Sequence, residues 1–115
     1  MKTTIYHNPR CSKSRATLAL LHERGIEPEV INYLETPPDQ TTLAEVLDKL
    51  NMQPRELIRK GESVYKEQEL NNADLTQQQL IKAMVDSPIL IERPIVVVGD
   101  KARIGRPPEN VLDIL

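Results

Sequence analysis

Polar and apolar side chains alternate from Thr3 to His7, with Thr3, Ile5 and His7 on one face and Thr4 and Tyr6 on the other. A period of two over five residues predicts a short strand, and Asn8-Pro9 ends it. From Ser12 to about Arg24 the period becomes helical. Ala16, Leu20 and Glu23 share one face, with Thr17, Leu18 and Leu21 beside it. Gly25 suits the position after a helix end, where the left-handed backbone carries no Cβ penalty. Pro28 to Leu34, with Val30, Ile31 and Tyr33, predicts a second strand. Strand, helix and strand in about thirty residues make a βαβ unit with parallel strands.

After the Thr36-Pro37-Pro38-Asp39 linker, Thr42 and Glu45 match an S/T-x-x-E capping box. Leu43, Val46, Leu47 and Leu50 follow at amphipathic helical spacing. Pro54 opens a short helix that ends before Gly61, with Arg59 near its end. Thr76 and Gln79 repeat the capping box ahead of Leu80, Ile81, Met84 and Val85. Residues 40–87 therefore read as a helical insert in a single domain spanning 1–115. Ile95-Val96-Val97-Val98 is the strongest strand signal in the chain, Gly99-Asp100 suits a hairpin turn, and Lys101 to Ile104 returns as a strand. Pro107-Pro108 opens a last helix with Val111, Leu112 and Leu115.

Composition narrows the class of protein. The 115 residues contain neither Trp nor Phe, so the core is aliphatic. The net charge of −2 lacks the basic excess of a nucleic-acid binder, and three tyrosines are no platform for stacked bases. No stretch approaches the roughly 18 apolar residues of a membrane span. With one cysteine no internal disulfide forms, which suits a reducing compartment, and the N-terminus lacks a signal-peptide pattern. These features predict a cytoplasmic protein with no nucleic-acid or membrane partner. Two histidines and one cysteine are too scattered for a zinc site, and there is no dinucleotide fingerprint.

Cys11 is the residue with chemical promise. It sits between the first strand and the first helix, where backbone N–H groups lack intrahelical partners and favour an anion. Arg10, Lys13 and Arg15 place three cations within four residues of it. A helix start and nearby cations are the setting of reactive thiolates, and the same groups would receive an oxyanion. Ser14 occupies the position where a Cys-x-x-Cys pair needs its second cysteine, so Cys11 is a monothiol and its redox cycle needs an outside thiol. A phosphatase loop, Cys-x5-Arg, fails because position 17 is Thr17. His7 either pairs with the thiolate or is satisfied by a backbone carbonyl, and Asn8 either donates to the thiolate or caps the turn. Farther along, Arg59, Arg93 and Arg106 offer planar forks for an oxyanion. Arg93 and Arg106 both precede prolines at strand boundaries. Pro94 suits the start of a strand, where its missing N–H does least harm.

The segments Ile5-Tyr6-His7-Asn8-Pro9-Arg10-Cys11 with Ser14-Arg15, Tyr33-Leu34-Glu35, Leu57-Ile58-Arg59-Lys60, Arg93-Pro94-Ile95-Val96-Val97 and Gly105-Arg106-Pro107-Pro108-Glu109 together resemble the glutaredoxin-coupled arsenate reductases of the ArsC family. The resemblance covers nearly the whole chain and is to the family's shorter members. It implies an α/β, thioredoxin-like fold: a four-stranded mixed sheet flanked by helices, an inserted helical subdomain, and a cis peptide before Pro94. It implies that Cys11 attacks arsenate, that Arg59, Arg93 and Arg106 bind the oxyanion, and that His7, Asn8 and Ser14 support the thiolate. Glutathione is the implied co-substrate, glutaredoxin the implied partner, and no cofactor is bound. Two other functions fit the scaffold: a glutathione-dependent thiol or disulfide reductase, and a non-enzymatic RNA polymerase-binding regulator of the Spx type.

Overall fold

A computed structural model describes residues 2–115. The described residues divide into two compact units, one of residues 2–36 and 93–115, the other of residues 37–92.

The first unit is built on a four-stranded sheet. Its strands are β1 (Thr3–His7), β2 (Glu29–Asn32), β3 (Ile95–Val98) and β4 (Lys101–Ile104), in the order β2-β1-β3-β4. β1 runs parallel to β2 and antiparallel to β3, and β3 pairs antiparallel with β4, so the sheet is mixed. Helix α1 (Ser12–Glu23) supplies the crossover between the parallel strands. It ends in a Schellman arrangement: Gly25, at φ 74°, donates to the His22 carbonyl and Ile26 donates to that of Leu21. Gly99 holds φ 60°, the positive angle a primed two-residue hairpin turn requires at its first central position.

Register decides what this unit buries. Ile5 lies opposite Val96, and both pack with Leu21 of α1 and with Val111 and Ile114 near the C-terminus. Each such side chain removed from water stabilises the unit by about 1.5–3 kcal/mol. His7, two residues after Ile5, points to the same face of the sheet and so toward α1. The buried residues of α1 are Ser14, Thr17 and Leu21, a stripe in which two of the three side chains are polar. β2 is one edge of the sheet, and its Val30 is exposed.

The second unit is helical. It contains α2 (Gln40–Leu50), α3 (Pro54–Leu57), α4 (Ser63–Glu67) and α5 (Gln77–Asp86), then a 3₁₀ turn at Pro88–Leu90. Leu43, Val46, Leu47 and Leu50 of α2 are buried, as are Leu80, Ile81, Ala83 and Met84 of α5. The Thr76/Gln79 capping box forms with both of its hydrogen bonds. The other expected box does not: the cap of α2 is Asp39, whose carboxylate accepts from the Thr42 N–H at 2.8 Å. The helix starts two residues earlier than Thr42 because a carboxylate at that point satisfies the first-turn N–H groups.

Three further expectations are corrected. The second strand is only Glu29–Asn32, because Glu35 and Thr36 donate back to the Asn32 carbonyl and close a turn over Tyr33 and Leu34. The C-terminal segment Pro108–Ile114 is a 3₁₀ helix. Helix α3 ends at Leu57, leaving Arg59 beyond it, since Ile58 is drawn into an antiparallel bridge with Ile91. Helix α4 carries no buried residue, which explains why its apolar pattern was too weak to predict it.

Candidate active site

Cys11 is the N-cap of α1, with extended φ and ψ of −94° and 123°. Its carbonyl accepts the first helical hydrogen bond, from Arg15 at 3.0 Å, and its N–H donates to the Asn8 carbonyl at 3.0 Å. The N–H groups of Ser12, Lys13 and Ser14 precede any intrahelical acceptor, so the helix offers its positive end beside the sulfur.

The loop before Cys11 is pinned from several sides. Asn8 Oδ1 accepts from the Arg10 N–H at 3.0 Å, closing the turn. Asn8 is thus the capping residue of the loop, one of its two expected roles. Arg15 Nη1 donates to the Pro9 carbonyl at 2.9 Å. The Asn8 N–H donates to Ser14 Oγ at 3.0 Å, and Ser14 Oγ lies 2.6 Å from His7 Nδ1. Ser14 is fully buried and His7 is 7% exposed. A neutral His7 protonated at Nε2 accepts the Ser14 hydroxyl hydrogen and leaves all three groups satisfied. Burial, and then the charge of Arg15, hold the imidazole below its usual range and keep it neutral at pH 7. The Nδ1 side of His7 therefore faces Ser14, and the pair holds the loop through Asn8.

Arg106 approaches from the far end of the chain. Its Nη1 lies 3.9 Å from Cys11 Sγ and 3.4 Å from the Arg93 carbonyl. The peptide bonds before Pro94 and before Pro107 are both cis; the sequence suggested only the first. Arg93 Nε and Nη1 are buried. The Arg106 carbonyl accepts from Asn110 Nδ2 at 3.1 Å. Within the sheet unit, then, the expected residues Cys11, His7, Asn8, Ser14, Arg15, Arg93 and Arg106 are linked by the contacts above. Arg59 belongs to the helical unit. Its guanidinium faces Glu62 at 3.2 Å and Glu92 at 3.7 Å, and its N–H donates to the Leu90 carbonyl at 2.7 Å.

A pocket beside the loop is lined by Asn8, Pro9, Arg10, Asn32, Leu34 and Glu35. Among the described residues, no group of three or more His, Cys, Asp and Glu could hold a metal ion, and no helix is long and apolar enough to cross a membrane. Sequence reasoning missed Thr17 and Gly105, whose contact spans 88 positions, and Asn110, which donates to the Arg106 carbonyl four residues back. Gly105 had one visible signal, its place directly before an arginine in Gly-Arg-Pro-Pro.

A single thiol at a helix start, faced by a guanidinium from beyond the last strand, defines a monothiol protein of the thioredoxin-like class. The chain belongs to the ArsC family, whose model matches residues 6–114. It is 61% identical over 112 residues to the Escherichia coli (strain K12) protein named uncharacterized protein YfgD, covering 96% of this chain and 94% of that one. It is 49% identical to an arsenate reductase of Haemophilus influenzae over the full length of both chains. The solved structure of an arsenate reductase from Vibrio cholerae, 51% identical, matches with a TM-score of 0.97 over 100% of this chain and 98% of that one.

Proposed function

We propose that the protein is an arsenate reductase acting through Cys11, with glutathione and glutaredoxin as electron donors. The observation that carries this reading is the approach of Arg106 Nη1 to Cys11 Sγ at 3.9 Å, at the positive end of α1. A nucleophile, a fixed cation and open N–H groups at one point suit attack on a tetrahedral oxyanion. The relatives named arsenate reductases, at about half identity over the whole chain, favour arsenate as that oxyanion.

In the first step the Cys11 thiolate attacks arsenic(V) and a protonated arsenate oxygen leaves as water, giving a Cys11–S–As(V) adduct. Arg106 and Arg93 carry the charge of the remaining oxygens. A glutathione thiolate then attacks the Cys11 sulfur. The S–As electron pair stays on arsenic, which leaves as arsenite, and a Cys11–glutathione disulfide remains. Glutaredoxin attacks the glutathione sulfur and restores the Cys11 thiolate. The balance is two thiols oxidised to one disulfide for each arsenic reduced from V to III. Ser14 closes off a dithiol route. The pocket along Asn8–Arg10 offers Arg10 to a carboxylate and Glu35 to an ammonium group, the charged ends of glutathione. This chemistry belongs to the reducing cytoplasm.

Reduced glutathione alone cannot oxidise Cys11; arsenate supplies the oxidant. Mass spectrometry of the protein incubated with reduced glutathione, with and without arsenate, therefore tests the reading. The mixed disulfide on Cys11 is expected only with arsenate. A mixed disulfide that forms equally without arsenate, from trace oxidised glutathione, would instead favour a thiol or disulfide reductase.

A further inference from the structure

Thr17 and Gly105 lie 88 positions apart and meet inside the sheet unit. Thr17 is fully buried in α1, six residues after Cys11, and its hydroxyl donates to the Lys13 carbonyl at 2.8 Å. The same hydroxyl stands 3.5 Å from the Gly105 carbonyl. A Cβ added to Gly105 would overlap the Thr17 hydroxyl and would come within 3.1 Å of Thr17 Cγ2 and 3.0 Å of Pro94 Cγ. Neither neighbour is a flexible chain end. Thr17 is β-branched and its rotamer is fixed by its own hydrogen bond, and Pro94 is a ring.

Gly105 is not among the glycines at positive φ, which are Gly25 and Gly99. Its requirement for glycine comes from contact, not from backbone dihedral. Its N–H donates to the Pro94 carbonyl at 3.0 Å, and the next residue is Arg106. A side chain at 105 would push this segment off α1 and carry Arg106 with it. The 3.9 Å approach of Arg106 Nη1 to the sulfur would lengthen with such a shift.

We infer that Thr17 and Gly105 are positioning residues whose contact sets Arg106 against Cys11. The inference rests on the Arg106–Cys11 pair being the working pair of the site, and its test contains no arsenate. The rate of Cys11 alkylation by iodoacetate, divided by that by iodoacetamide, reports the cation beside the sulfur, because thiol reactivity cancels. The ratio is expected to fall in Gly105→Ala to the level of Arg106→Ala. Adding Thr17→Ala removes two of the three close contacts and leaves the one with Pro94 Cγ at 3.0 Å, so Thr17→Ala/Gly105→Ala recovers part of the ratio. Thr17→Ser/Gly105→Ala keeps the blocking hydroxyl and does not.

A Gly105→Ala protein with the unaltered ratio overturns the inference, as does a Thr17→Ala/Gly105→Ala protein that stays at the Arg106→Ala level. If Gly105→Ala does not fold, the double variant compared directly with Arg106→Ala still decides. Melting curves confirm folding in each case. Failure of the arsenate reading would leave these ratios unchanged, and failure of the positioning role would leave arsenate turnover by the unaltered protein unchanged.

Discussion

Arg106 Nη1 stands 3.9 Å from Cys11 Sγ, joining residues 95 positions apart at the open end of α1. A charge-assisted hydrogen bond is worth about 1.5–3 kcal/mol. If Arg106 holds the oxyanion in the transition state, Arg106→Ala lowers kcat/KM for arsenate by roughly 10- to 150-fold. Arg106→Lys restores the charge but not the planar fork, so it recovers only part of the loss. Steady-state kinetics at fixed glutathione check this, and an unaltered kcat/KM in Arg106→Ala would remove the residue from the site.

Ser14 is fully buried between His7 and the Asn8 N–H. Ser14→Ala leaves one buried and one part-buried polar group without this partner, which costs about 1–3 kcal/mol. Urea unfolding is expected to show a lower midpoint with an unchanged slope. The pinned loop also loosens, so the rate of Cys11 alkylation by iodoacetamide should change as well. A Ser14→Ala protein as stable as the original would show that the three-way arrangement contributes nothing.

His7 gives a pH dependence of defined sign. Burial first, and the charge of Arg15 second, lower its pKa from the ordinary 6.5. Below that value the unfolded chain takes up a proton that the folded chain resists, so acid favours unfolding. This contribution to stability is fully present above pH 6.5. It is lost as the pH falls from there through the folded pKa. An NMR titration should place the His7 midpoint below 6.5, and His7→Gln should flatten that part of the stability curve. A midpoint above 6.5 would contradict the neutral, Ser14-bonded imidazole.

Two threonines sit in similar sequence patterns and have different fates. Thr76 caps α5 through its hydroxyl, whereas α2 is capped by Asp39 and receives only the Thr42 backbone. Thr76→Ala should cost about 1 kcal/mol. Thr42→Ala should cost little, and Asp39→Ala should destabilise where Asp39→Asn is tolerated. Equal losses from Thr42→Ala and Thr76→Ala would contradict the cap assignment.

The parts legible in the sequence are those governed by local physics. Alternation marked β1, β-branched residues marked β3, and Gly25 and Gly99 marked the ends they close. Cys11 could be placed at a helix start because a strand, a break and a helical period adjoin there. Asp39 was hidden because both it and Thr42 suit an N-cap, and only the folded linker chooses between them. The C-terminal 3₁₀ segment shares the apolar spacing of a short α-helix. The site was half legible: arginines before prolines could be nominated, but no local pattern shows that Arg106 reaches Cys11. The contact between Thr17 and Gly105 was invisible for the same reason, since a threonine in a helix and a glycine before an arginine acquire that meaning only when they touch. Arg59 could be nominated by residue type, while its facing carboxylates, Glu62 and Glu92, could not.

In the proposed reaction Cys11 reduces arsenate with electrons from glutathione. The most direct measurement is NADPH oxidation in a mixture of arsenate, glutathione, glutaredoxin, glutathione reductase and this protein. Oxidation is expected to require both arsenate and the protein and to disappear with Cys11→Ser. Arsenate-dependent oxidation at full rate by Cys11→Ser, or none by the unaltered protein, would contradict it.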